Sequence, residues 1–179
     1  MGMKRENGFT LVELAVVVAV TAILLAVGVP ALRDMVRNNR LITETNNLVA
    51  NLNLARSEAA KRRASVVVCS STDPTAAVPE CDGGTDWDTG SVVFVDADGS
   101  TSVNNAADVI RANGAAVDSI DLRSRGGTLT FGPDGSVTGG TATIFAVCDD
   151  RGIARGRRIT VSNVGRPQLS QPPIPSCTP

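Results

Sequence analysis

The side chains able to do chemistry are few. The 179 residues contain no His and no Tyr, and Lys occurs only as Lys4 and Lys61. That excludes Ser-His-Asp and Cys-His nucleophiles, His-ligated zinc and Tyr acid–base work. A Ser-Lys dyad would need Lys4 or Lys61, and neither lies in a pocket-forming segment. No G-x-S-x-G elbow, no G-x-G-x-x-G and no P-loop Lys occurs. The expectation is a protein that is not an enzyme, with no catalytic residue and no cofactor. The Cys residues are 69, 81, 148 and 177, without a C-x-x-C pair. With no His, a zinc site would need all of them at awkward spacing, so no metal is expected.

Three charged features remain. Glu13 stands at the edge of residues 14–32, a run of 19 residues without a charge, interrupted only by Thr21, Gly28 and Pro30. A carboxylate in apolar surroundings is costly unless paired. Residues 69–150 carry 13 Asp/Glu against three Arg. Within them Asp96-Ala97-Asp98-Gly99 matches the first positions of a calcium loop but lacks the later ligands and the closing Glu, so a solvated turn is expected. Residues 151–166 reverse the sign, with Arg151, Arg155, Arg157, Arg158 and Arg166 and no acid. Arg forks suit phosphate. The net charge of −1 gives the whole surface no general attraction for polyanions.

The elements that carry these residues follow from pattern. About 20 apolar residues span a bilayer as a helix, which fits the run after Glu13. A secretory signal fits less well, because the run is long and Val29-Pro30-Ala31 is a poor cleavage site. Leu41, Thr45, Leu48, Leu52, Ala55 and Ala59 continue at intervals of three and four, predicting an amphipathic extension. Lys61-Arg62-Arg63 suits its C-terminal end. A helix from Phe9 to about Arg63 would be roughly 80 Å long, bent at Gly28-Val29-Pro30. Strands are predicted at 65–69, 91–95, 128–131 with a hairpin return at 136–138, 141–148 and 158–162. The tail after Gly165 is Pro-rich and should be extended. The fold class is α+β: a long N-terminal helix on a C-terminal antiparallel β domain.

Gly8-Phe9-Thr10-Leu11-Val12-Glu13 resembles the type III signal of type IV pilins and type II secretion pseudopilins. The resemblance implies that prepilin peptidase cuts between Gly8 and Phe9 and that Phe9 is N-methylated. Glu13 becomes the fifth residue of the mature chain, where the family carries an acid that meets the N-terminal amine of a neighbouring subunit, and Pro30 falls at the family's helix-kinking Pro. Further strings resemble the FimT/FimU/GspH group: Leu54-Ala55-Arg56-Ser57-Glu58-Ala59, then Trp87 to Asp96, Phe131-Gly132-Pro133-Asp134-Gly135, and Arg155-Gly156-Arg157-Arg158-Ile159.

The resemblance implies a minor, tip-proximal pilin or pseudopilin. Its domains would be a leader (1–8), a transmembrane and filament-core helix (9–32), an amphipathic helix (33–63) and a β-rich periplasmic or extracellular domain (64–179). It would lie in the bacterial inner membrane as a single pass with a periplasmic C-terminal domain, and then enter a filament. Its partners would be other minor and major pilins or pseudopilins, prepilin peptidase and the inner membrane. The flanking charges oppose this orientation, since Lys4 and Arg5 face Arg33, Arg37 and Arg40 across the run; the family signal is what implies N-in. Export implies disulfides. Three pairings are open, and Cys69–Cys81 with Cys148–Cys177 is favoured because each closes a loop with little structure of its own. Two other functions stay in view: a tip adhesin module, and a DNA receptor of the FimT kind with Arg155, Arg157, Arg158 and Arg166 as candidate DNA-binding residues. FimT receptors use Gly-Arg-x-Arg; here the string is Gly165-Arg166-Pro167-Gln168, lacking the second Arg, and Phe145 is the only aromatic nearby. The basic strand alternatively serves as an aggregation-blocking edge or a contact to acidic neighbours.

Overall fold

The computed structural model describes residues 9–117, 119–140 and 142–179. The leader with Gly8, and Thr141 of the expected strand 141–148, lie outside the described residues. The chain divides into two compact units, residues 1–38 and 39–179.

Helix α1 runs Leu11–Arg62 with Pro30 inside it. Its start is capped by Thr10, whose Oγ1 accepts the Glu13 N–H at 3.2 Å. Its end is a Schellman turn: Arg63 takes a positive φ of 52°, and the Ala64 N–H reaches back to the Ala59 carbonyl at 3.3 Å. In the last turn the Glu58 carboxylate accepts from Arg62 Nε at 2.6 Å and Lys61 Nζ at 3.3 Å. These bonds, Arg62's first, hold the Glu58 carboxyl below its usual range. In the 39–179 unit the helix buries Leu41, Thr45, Leu48, Leu52, Ala55 and Ala59, the whole predicted face, together with Asn51.

That face packs on two four-stranded antiparallel sheets. The first has the order β3 (Val109–Asn113), β2 (Ser91–Asp96), β1 (Ser65–Ser70), β5 (Thr128–Phe131). The second has the order β4 (Asp121–Ser124), β6 (Thr143–Cys148), β7 (Arg157–Val161), β8 (Pro167–Ser170). One core joins the helix residues to Val66, Val68, Leu129 and Phe131 of the first sheet and Phe145, Val147, Ile159 and Val161 of the second. Trp87 belongs to this core, meeting Phe145 edge-on at 5.0 Å and donating from Nε1 to the Gly126 carbonyl at 3.2 Å.

The sheets are covered on their far faces as well, which explains the unbroken apolar run in β1. Val67 and Cys69 turn away from the helix and join Val92 and Phe94 in a second cluster packed by Cys81, Val103 and Val109. On the far side of the second sheet Ala146 and Cys148 pack with Ile174 and Cys177. A disulfide fastens each cover: Cys69–Cys81 with Cα atoms 5.6 Å apart, and Cys148–Cys177 with Cα atoms 5.9 Å apart.

The structure corrects the strand reading in three places. The 136–138 segment makes the expected hairpin return, but as a single bridge between Phe131 and Val137 and not as a strand. The Gly132 N–H donates to the Ser136 carbonyl at 2.8 Å and the Thr138 N–H to the Thr130 carbonyl at 2.9 Å, while the Val137 N–H points away from β5 to the Asn163 carbonyl at 2.8 Å. Two strands, β3 and β4, lie where none was expected. β3 is a half-exposed edge without clean alternation, and β4 places Asp121 and Arg123 on the solvent side, so neither had an apolar signal. Part of the Pro-rich tail is edge strand β8, which tolerates Pro167 at its first position.

Two local constraints are testable. Gly165 has φ +75°, and a Cβ there would lie 2.1 Å from the Gly135 carbonyl oxygen. Gly165→Ala should therefore destabilise the protein by at least about 2 kcal/mol in urea unfolding. Gly114→Ala, where a Cβ meets nothing within 4 Å, should change stability little. In the turn after β2, Asp98 accepts from the Ser100 N–H at 3.0 Å and Asn104 Nδ2 at 2.8 Å. The Ser100 hydroxyl and amide, then Asn104, bring its pKa from 3.8 down to about 2. The depressed carboxyl stabilises the fold above pH 3.8, and this contribution is lost as pH falls through about 2. The Ser100 amide resonance should titrate with that lower midpoint; a midpoint near 3.8 would contradict the turn geometry.

Candidate functional site

The N-terminal part of α1 concentrates the features that could act. Thr10 and Glu13 form the Thr-x-x-Glu spacing of a capping box, a signal that the sequence reading passed over. Glu13 thus sits in the first helical turn, where a carboxylate complements the helix dipole. Beyond it the large side chains Leu14, Val16, Val17, Val18, Val20, Ile23, Leu24 and Leu25 are all exposed. Thr21 hides its hydroxyl by donating to the Val17 carbonyl at 2.7 Å, so even this polar residue costs little in an apolar medium. The helix is long and apolar enough to cross a membrane, and none of its most apolar stretch is buried.

In the 39–179 unit the motifs noted in the sequence meet each other. Arg56 on α1 donates from Nε to the Gly135 carbonyl at 3.3 Å, tying the helix string to the turn after β5. Gly135, at φ +77°, has the Arg56 stem where a Cβ would sit, 3.3 Å away. Both strings therefore fix the helix on the sheets.

The candidate DNA-binding arginines do not share one surface. Arg155 follows a short 3-10 turn and is exposed. Arg157 and Arg158 are consecutive in β7, opposite Val147 and Ala146, and so point to opposite faces of the sheet. Arg157 donates from Nη1 to Gln171 Oε1. Arg166 is exposed, in a turn whose backbone is held by Ser162. Arg151 is neutralised by Asp149, to which it donates from Nη2 at 2.6 Å and Nε at 3.0 Å. Arg123 sits between Asp86 and Asp121, and Asp121 first of all raises its pKa further. The carboxylates of Asp96 and Asp98 are taken up by donors of their own turn. Among the described residues no group of three or more His, Cys, Asp or Glu is placed to hold a metal ion. A polar cleft of about 260 Å³, lined by Glu44, Asn47, Asn51, Ser91 and Asn113, offers amides and one carboxylate but no nucleophile–base pair.

Comparison with known proteins agrees with this division of labour. Residues 3–29 match the prokaryotic N-terminal methylation motif. Residues 44–165 match the family described as type II transport protein GspH. No curated protein sequence matches the chain. Two crystal structures of the type IV minor pilin FimU from Pseudomonas aeruginosa PAO1 are similar, each 26% identical. The one in space group P21 has a TM-score of 0.62 and covers 80% of this chain and 98% of its own. The one in P65 has a TM-score of 0.57 and covers 74% and 95%. The α+β arrangement of a long helix on antiparallel sheets is the pilin fold of FimU. With the methylation motif at one end and the GspH match over the β domain, the chain belongs to the GspH family of type IV pilin-like minor pilins and pseudopilins.

Proposed function

We propose that the protein is a tip-proximal minor subunit of a type IV pilus or type II secretion pseudopilus, with a structural and not a catalytic role. Prepilin peptidase removes residues 1–8 and methylates Phe9. Residues 9–32 then hold the chain in the inner membrane with the N-terminus inside, and afterwards pack among the helices of other pilins or pseudopilins. Residues 33–63 carry the amphipathic continuation and residues 64–179 the outward-facing domain. The observation that carries this reading is the exposed apolar stretch of α1, opened by Glu13 in a Thr10-capped first turn and lying within the methylation-motif match.

Moving such a helix from lipid into a helix bundle gains little hydrophobic energy, because lipid tails are as apolar as Leu. Packing and polar pairs must then drive and orient association. Cleavage before Phe9 creates an amine, and the Glu13 carboxylate of one subunit pairs with that amine on its neighbour. An ion pair in low dielectric is unforgiving of misregister, so it sets the axial step in the way one buried polar residue fixes the register of a coiled coil.

Glu13 also lies in the capped first turn of its own helix, at the capping-box position, and the two roles separate by substitution. Glu13→Gln keeps a side chain able to complete the capping box but removes the charge; Glu13→Ala removes both. Both variants should reach the membrane fraction at normal levels. Both should fall at least tenfold in sheared filaments, measured by quantitative blotting. Wild-type incorporation of Glu13→Gln would overturn the pairing and leave only the cap.

A further inference from the structure

The stapled tail does not close completely over the outer face of the second sheet. Between them lies a cavity of about 190 Å³ lined by Arg125, Arg158, Ala146, Ser176, Thr178 and the last residue, Pro179, among others, with no Asp or Glu in its wall. We infer that this cavity binds a single small tetrahedral oxyanion of the phosphate class, clamped between Arg125 and Arg158.

The walls are fixed. Arg158 stands in β7 with Ala146 on one side and Ser170 on the other. Arg125 follows β4, and its backbone N–H donates to the Ile144 carbonyl at 3.1 Å. The roof is held by the Cys148–Cys177 disulfide and by the Ile174 N–H, which donates to the Ile153 carbonyl at 3.0 Å. Gly156 makes room for it: a Cβ there would lie 2.7 Å from Ile174 Cδ1 and 2.9 Å from Cys148 Sγ. The Ser176 hydroxyl donates to the Thr178 carbonyl at 2.6 Å and accepts the Thr178 N–H at 3.0 Å, shaping the tail over the cavity.

The electrostatics call for an anion. Nε of Arg158 is buried and has no hydrogen-bond partner among the described residues. Neither Arg125 nor Arg158 forms an ion pair among the described residues. A buried guanidinium donor without a partner is costly, and the exposed Arg125 adds a second positive charge at the same cavity. Water can accept the hydrogen bonds but leaves the charge. One tetrahedral oxyanion accepts from both planar forks and neutralises both groups. Arg158 is half-buried and Arg125 exposed at the cavity's mouth, so a free ion can enter.

Full-length protein in detergent micelles, titrated calorimetrically with inorganic phosphate against a chloride background, tests this. Saturable one-site binding is expected in the millimolar range or tighter, at least tenfold weaker in Arg158→Gln and in Arg125→Gln and unchanged in Arg155→Gln. The paired change Cys148→Ser with Cys177→Ser should also weaken it, because the roof is released. Trp87 emission reports folding, and if Arg158→Gln fails that check, Arg125→Gln, outside any strand, carries the test. Absence of saturable binding in the wild type would overturn the site. So would phosphate affinity that survives both Arg substitutions in folded protein.

Discussion

An apolar helical surface that nothing in the monomer covers is the constraint from which the rest follows. Phe9 and nearly every large side chain of α1 from Leu11 to Leu32 are exposed. Each such side chain is worth about 1.5–3 kcal/mol when removed from water. Lipid or a bundle of similar helices is the surrounding that suits this segment, while the 39–179 unit has a core of its own. The polar atoms at the apolar end are correspondingly economical. Thr10 caps the first turn, Thr21 bonds its own backbone, and Glu13 is the one charge at its head.

In the 39–179 unit the same helix changes character. Its buried residues narrow to a stripe at 41, 45, 48, 52, 55 and 59 that ends in two Ala. Two small four-stranded sheets would each be thin on their own, and both are backed by loops fastened with disulfides. A staple of this kind contributes about 3 kcal/mol in the loop-entropy picture. The covers free the sheets from needing large side chains on both faces, consistent with a chain that has one Trp, four Phe and no Tyr.

Legibility from sequence tracked the strength of the local signal. The helix and its buried face were readable because a period of three and four with no breaker admits one solution. β1, β2, β5, β6 and β7 were readable from β-branched runs. β3 and β4 were not, because an edge strand and a charged strand borrow their order from neighbours rather than from their own composition. The hairpin return at 136–138 was readable from its Gly132-Pro133-Asp134-Gly135 turn, though it stops at one bridge. Gly165, which begins the Gly165-Arg166-Pro167-Gln168 string, has its place dictated by the approach of the Gly135 carbonyl. The Arg125–Arg158 cavity had no sequence signal, since its two cations meet only through the pairing of β6 with its neighbours on either side.

The central claim is that the bare helix is a processed assembly segment and not a permanent anchor. Intact-mass and N-terminal peptide analysis of the protein extracted from membranes and from sheared filaments tests it most directly. The account predicts a mature chain that begins at Phe9 and carries one methyl group on its amine. A chain that retains residues 1–8 in the filament fraction, or one cut near Ala31, would contradict it.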